Sequence, residues 1–227
     1  MENVLSLDAF VAEGVFRNSI IRTSGTGAKR REDSIEYNPI DLGLPSGTLW
    51  CDRNVGAISP EDFGGYFQWG GTKDMTNGSC IWKEHPYTDD IDRSEKYNFK
   101  DKKTVLDLDD DAANVNMGGE WHMPDDSQFR ELAENTDSEQ VSVKGVKGVL
   151  FKSRKNENSI FIPYAGYMEG RKSWYVGISF ELWCSTLDHN AEYDEANEFG
   201  YDHLDKWYIQ TSKLCYGFSV RGVINKK

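Results

Sequence analysis

Residues 106–132, LDLDDDAANVNMGGEWHMPDDSQFREL, constrain the fold of this chain more than any other stretch. Asp109, Asp110 and Asp111 stand just before Ala112 and Ala113. Acidic side chains there complement the free N–H groups and partial positive charge of a helix N-terminus. Gly118-Gly119 ends that helix, because glycine takes the left-handed C-cap conformation without steric cost. Pro124 suits the first position of a second helix. In that helix Phe129, Leu132 and Ala133 recur at i, i+3 and i+4 and make one apolar face. The expected unit is a corner: helix, tight turn, a short extended Trp121-His122-Met123-Pro124, helix. Capping alone accounts for it as scaffold.

Around this corner the punctuation is that of short strands. Gly43, Pro45 and Gly47 precede Thr48-Leu49-Trp50, which reads as a buried strand. Tyr66, Phe67 and Trp69 are expected core aromatics. Residues 73–104 are polar and aperiodic and read as a long surface excursion. Gly145 to Phe151 and Ser159 to Ile162 read as two strands around a turn at residues 155–158. Tyr175 to Phe180, Leu182 to Thr186, Trp207 to Gln210 and residues 216–221 complete the expected strands. Trp50, Trp69, Trp121 and Phe218 are expected in the core.

The chain divides into an arm, residues 1–37, and a main domain, residues 38–227. In the arm Val4, Leu5, Leu7, Phe10, Val11, Val15 and Phe16 predict a short amphipathic helix, followed by the linker SGTGAKRRED. A lone helix of that length is marginal in water and needs a partner for its apolar face. The arm holds 5 basic and 6 acidic residues, leaving 21 and 32 of the chain's 26 and 38 for the main domain. The net charge of −12 argues against non-specific nucleic-acid binding. With 227 residues and 38% apolar content, one sizeable core is expected. No apolar run is long enough to insert in a membrane, and the first 20 residues lack the basic and apolar regions of a Sec signal peptide.

Chemistry is sparsely signalled. Cys51, Cys80, Cys184 and Cys215 show no CxxC spacing and are expected mostly reduced. Asp107 to Asp111 offer oxygen atoms to Ca²⁺, but no EF-hand spacing follows, so helix-terminal charge is the plainer reading. His85, His122, His189 and His203 form no HxxxH or HExxH pattern. Walker, GxGxxG and GxSxG motifs are absent. The expectation is no catalytic residue, no metal and no cofactor.

Several motifs occur in an order that resembles one family. Asp41 to Gly47, Trp50, Asn54 to Ala57, Ser59 to Asp62, Gly64, Tyr66-Phe67 and Trp69-Gly70 open the run. Asp110 to Ala113, Gly118-Gly119, Trp121, Met123-Pro124 and Glu131-Leu132 continue it. Asn158 to Pro163, Ala165 to Tyr167 and Tyr216 to Arg221 close it. Together they resemble the Fibrobacter succinogenes major paralogous domain family, over roughly residues 40–223. Met117 stands where that family usually has Trp, His122 where it has Arg, and Leu182 and Cys184 depart from its Tyr-Trp-Ser-Ser-Thr. The resemblance implies an α+β, C-type-lectin-like domain with two helices and a small, mostly antiparallel sheet with long loops, here preceded by the arm. It also implies distant kinship to formylglycine-generating enzymes. Those hold copper on two nearby cysteines, and Cys215 has no second cysteine within a few residues, which argues against oxidase activity.

The expected function is non-enzymatic: a bacteriophage virion protein, assembled in the bacterial cytoplasm, at the capsid or tail. It would attach to other virion proteins through residues 1–37 and touch a host-surface glycan or protein, with homo-oligomers open. The rivals are a bacterial surface or cytosolic ligand-binding module, a ligand-free decoration protein and an oxidase. The expected ligand face is the segment Asp188 to Trp207, read as a surface excursion between matched strands. Its Tyr, Asn, Asp and His content resembles that of binding loops. The candidate residues are Asp188, His189, Asn190, Tyr193, Asn197, Tyr201, His203 and Trp207, with Trp174 and Tyr175 beside them.

Overall fold

The computed structural model describes residues 35–87, 96–98, 100–188, 195–201 and 206–226. The helix expected between Val4 and Phe16 lies outside them. In chain order the strands begin with β1 (Pro39–Asp41), β2 (Leu49–Asn54), β3 (Thr136–Val143) and β4 (Val146–Ser153). β5 (Ser159–Pro163), β6 (Tyr167–Glu169), β7 (Lys172–Trp174) and β8 (Phe180–Leu187) follow. β9 (Glu195–Tyr201), β10 (Trp207–Lys213) and β11 (Arg221–Ile224) complete the set. The helices are α1 (Ala112–Met117) and α2 (Asp126–Asn135). The sheets are β1-β2-β11, β3-β4-β5, β10-β9-β8 and the hairpin β6-β7, all antiparallel. β1 and β11 flank β2, so strands from the two ends of the domain share one sheet.

This architecture corrects the expected α+β, C-type-lectin-like fold. Among the described residues eleven strands lie in four small antiparallel sheets, and only two short α-helices and two single 3-10 turns accompany them. The extra β-structure sits where no alternating pattern announced it. β3, TDSEQVSV, is an edge strand with an exposed middle. β9, EANEFGY, is the centre of its sheet, although it falls in the segment read as an excursion. Conversely, residues 175–179, expected as strand, form a turn. The 73–104 stretch is no simple excursion either. Its Cys80, His85 and Tyr97 are buried, and His85 Nε2 lies 3.1 Å from the Trp69 carbonyl.

The corner forms with its capping reassigned. Of the three aspartates only Asp111 caps α1, with Oδ1 accepting from the N–H groups of Ala113 at 2.8 Å and Asn114 at 3.0 Å. Its Oδ2 accepts from Met123 N–H at 2.7 Å, so one carboxylate joins the helix start to the extended piece. Asp110 turns to Lys96 Nζ and to the Tyr97 hydroxyl, at 2.7 and 2.6 Å. Asp109 is exposed. α2 is capped by Asp125 in a reciprocal capping box with Gln128. Pro124 therefore precedes the cap instead of occupying the first helical position. His122 exchanges two backbone hydrogen bonds with Val223, which straps the corner to β11.

Trp50, Trp69, Trp121 and Phe218 are buried, as expected. One core cluster gathers Trp50, Phe129, Phe151, Phe180, Phe199 and Tyr201 between α2 and the sheets. A second gathers Phe67, Trp69, Tyr97, Met123, Trp183 and Phe218. Arg221 is wholly buried and donates to the carbonyls of Cys51 and Phe161 at 3.0 and 2.9 Å, tying β11 to β2 and β5. All four cysteines are buried thiols, and burial pushes Cys51 and Cys80 up to about 12.

Candidate ligand-binding site

The β10-β9-β8 sheet decides which candidate residues can act together. Leu187 pairs with Ala196 at one end, while Tyr201 pairs with both Phe180 and Trp207 at the other. Residues 196 to 201 of a strand span roughly 17 Å. The connection after Asp188 therefore leaves one end of the sheet, and the connection between Tyr201 and Trp207 leaves the opposite end. His189, Asn190, Tyr193 and His203 lie outside the described residues.

The described candidates have separate fates. Asn197 donates to Thr186 Oγ1 at 3.2 Å and Leu187 O at 3.5 Å, an internal strand contact. Asp188 is half-buried at the end of β8. Tyr201 is only 2% exposed, with its ring stacked 6.2 Å from Phe180 and edge-on 6.3 Å from Phe151. It is a core residue, because strand alternation turns it inward with Phe199. Trp207 is half-buried, 6.4 Å from the Phe199 ring. It borders an open cleft of about 580 Å³ lined also by Ala133, Thr136, Arg154 and Lys206. Arg154 is committed there to Asp137 and to the carbonyls of Glu134 and Thr136.

Trp174 and Tyr175 are the candidates that face outward. Trp174, Tyr175, Val176 and Ile178 are 42, 55, 43 and 49% exposed, the densest run of exposed large apolar side chains among the described residues. Yet the backbone beneath them is held. Gly177 N–H donates to Tyr164 O at 2.8 Å, Ile178 and Ser179 N–H donate to Tyr175 O, and Gly166 N–H donates to Ser179 O. Tyr175 sits at φ 55°, a costly conformation for a residue with a side chain. Gly166 permits the close approach, since a Cβ there would lie 1.9 Å from Trp174 O. Tyr175 continues a row of rings rooted in the core: Phe218 lies 5.8 Å from Tyr167, and Tyr167 lies 5.6 Å from Tyr216 and 6.1 Å from Tyr175. Exposed Glu169, Arg171 and Lys172 rim the patch on the hairpin.

Sequence reasoning found Trp174 and Tyr175 but missed Val176, Ile178 and the supporting Tyr167 and Tyr216. The signal was Gly177 inside the apolar run, which favours a turn over a strand. His122 is tied into the corner's own contacts. His122 Nδ1 lies 2.8 Å from Val223 O and its Nε2 lies 3.0 Å from Asn225. Among the described residues no group of three or more His, Cys, Asp or Glu side chains is placed to hold a metal. No helix among them is long and apolar enough to cross a membrane. Comparison with protein-family models, with curated proteins and with solved structures gives no match for this chain.

Proposed function

We propose that this chain is a non-enzymatic binding and display protein, and that its binding surface is the Trp174–Ile178 turn. The observation that carries the reading is the pairing of a rigid backbone with four outward apolar side chains. Exposing such a patch costs solubility and ordering it costs strain, and a patch of this kind marks a contact surface more often than chance. Aromatic rings bordered by Ser173, Glu169 and Arg171 suit a glycan, which offers apolar ring faces and hydroxyl groups together. In its finer form the proposal places the chain on a phage particle, held by residues 1–37 and touching the host surface. That form rests on the motif resemblance and on the contrast between a near-neutral arm and an acidic domain. Mass spectrometry of purified particles tests it: absence of the chain from them overturns the virion placement.

The binding surface is tested with a Trp174→Ala, Tyr175→Ala double variant against glycan arrays and host cells. Loss of two aromatic anchors should weaken binding about thirtyfold or more. The thermal midpoint should stay near that of the wild type. Equal binding by the folded double variant would remove the site. Binding abolished by protease treatment of the cells would assign the ligand to a protein.

A further inference from the structure

We propose that the ligand of the Trp174–Ile178 turn is an anionic glycan, whose sugar rings stack on Trp174 and Tyr175 while a carboxylate or sulfate on one ring meets Lys172 and Arg171. This rests on the binding role proposed for the turn and names the chemistry that the turn selects. The β6-β7 register pairs Tyr167 with Trp174 and Glu169 with Lys172, and residues directly opposite each other share a face. Lys172 and Trp174, two residues apart on β7, therefore project from the same face, with Cα atoms about 7 Å apart. All three residues of β7 are exposed. Arg171 is exposed in the two-residue loop that joins the strands.

This face is fixed from behind. Cys80 and Gly170 exchange two backbone hydrogen bonds, at 2.8 and 2.9 Å, and Met168 and Gly217 exchange two more, also at 2.8 and 2.9 Å. Strand alternation sets Met168 on the opposite face from Tyr167, and Met168 is only 3% exposed. Gly170 takes φ 60°, a conformation that a two-residue hairpin loop asks of its first residue. A two-stranded hairpin is marginal by itself, and these contacts hold it to the domain. Arg171, Lys172 and Trp174 thus ride on a backbone already ordered, which lowers the entropy that a ligand must offset.

Charge selects among glycans. The chain carries a net charge of −12, so its long-range field disfavours anions. At the hairpin the local sign reverses. Arg171 and Lys172 are adjacent cations, and neither forms an ion pair among the described residues. Glu169, the acid opposite Lys172, instead accepts from the Tyr216 hydroxyl at 3.4 Å. Tyr216 stacks on Tyr167, so the acid is engaged by the ring row. The exposed Glu169 carboxylate can accept from sugar hydroxyl groups. Rings for sugar faces, an acceptor for hydroxyl groups and cations for an acid group therefore lie together. One hairpin face and one turn are also far smaller than the about 20–30 residues a side of a stable protein interface.

The test uses the full chain and paired polymers. Hyaluronan and polygalacturonate carry carboxylates and are compared with their carboxyl-reduced forms; κ-carrageenan carries sulfates and is compared with its desulfated form. At low salt at least one charged polymer should bind about fivefold or more tighter than its neutral form, the factor that two exposed ion pairs supply. The pair that shows the preference tells carboxylate from sulfate. The preference should vanish at 1 M salt, where screening acts within about 3 Å. A Lys172→Gln, Arg171→Gln double variant should lose the preference and bind the neutral form as the wild type does. No preference in any pair overturns the proposal, as does a preference that survives in the double variant. Poly-L-glutamate bound as tightly as the best polysaccharide also overturns it, by assigning the acid to a protein ligand. Failure of the binding role reads differently: Trp174→Ala, Tyr175→Ala protein that binds every polymer as the wild type does would refute the turn itself, whatever the charge preference.

Discussion

Asp111 offers the sharpest quantitative test of the corner. It is buried, and its two carboxylate oxygens accept three N–H groups: Ala113 and Asn114 on one oxygen, Met123 on the other. Burial raises its proton affinity, with those N–H bonds opposing the rise. Replacing it with Ala removes a helix cap, worth about 0.5–2 kcal/mol. It also strands the buried Met123 N–H, at about 1–3 kcal/mol. The expected loss for Asp111→Ala is therefore about 1.5–5 kcal/mol. Asp111→Asn separates the two parts. Its amide oxygen still caps Ala113 and Asn114, but its NH₂ group then faces the Met123 N–H, donor against donor. The Asn variant should lose about 1–3 kcal/mol, the Met123 share alone. Asp109→Asn, two residues upstream and exposed, should stay within about 0.5 kcal/mol of the wild type. Urea unfolding followed by tryptophan fluorescence measures all three, and a constant m-value would show that only the native state has changed. An Asp111→Ala loss below about 0.5 kcal/mol would refute the assignment of this residue as the joint between α1 and the Trp121–Pro124 segment.

Two further outcomes follow from burial. Glu181 and Glu198 hold protons more tightly when folded than when unfolded, so the native state carries the extra protons. Their contribution to stability is greatest below the ordinary carboxylate range and falls as pH rises from about 4.5 through about 7, by a few kcal/mol, against the opposite trend from Asp52 and Asp110, whose proton affinities are lowered. Urea midpoints of the wild type and of a Glu181→Gln, Glu198→Gln double variant across that window isolate it, and a wild type that loses no more stability than the double variant as pH rises would contradict the assignment. Tyr201→Ala should cost about 3–5 kcal/mol as a loss from the core. Tyr175→Ala should cost below about 0.5 kcal/mol as a loss from the surface. Equal costs in thermal unfolding would return Tyr175 to the core or Tyr201 to the surface.

The corner was legible because helix ends demand particular residue types at particular offsets. Asp111, Gly118 and the Phe129–Leu132 face have few alternatives. Sequence alone did not show which of three aspartates would cap, since Lys96 and Tyr97 draw Asp110 away through a contact remote in the chain. β9 was illegible for a different reason. Its buried positions include Glu198 and Gly200, residue types that signal exposure and a break in a strand. Gln210 and the Tyr208 ring, which make those positions tolerable, come from the next strand. The turn at 175–179 shows the reverse error. An apolar run reads as buried strand, and only the Gly166 approach and the positive φ at Tyr175 turn its side chains outward. Of the expected ligand face Tyr201 belongs to the core and Trp174 and Tyr175 are accessible, while His189, Asn190, Tyr193 and His203 lie outside the described residues.

The sheet β1-β2-β11 also sets how the domain responds to tension. β1 and β11 each run antiparallel to β2 and thus run parallel to each other on its two sides. Pro39 begins β1 opposite Cys51, whereas Ile224 ends β11 opposite Leu49. A force drawing residue 39 away from residue 224 therefore slides the outer strands in opposite directions along β2. The ladder hydrogen bonds lie across that direction and are loaded together instead of being opened one by one from an end. Arg221, bonded to the carbonyls of Cys51 and Phe161, sits across the same seam as a rivet. Yield under such a pull is governed by the rate of strand sliding and not by equilibrium stability.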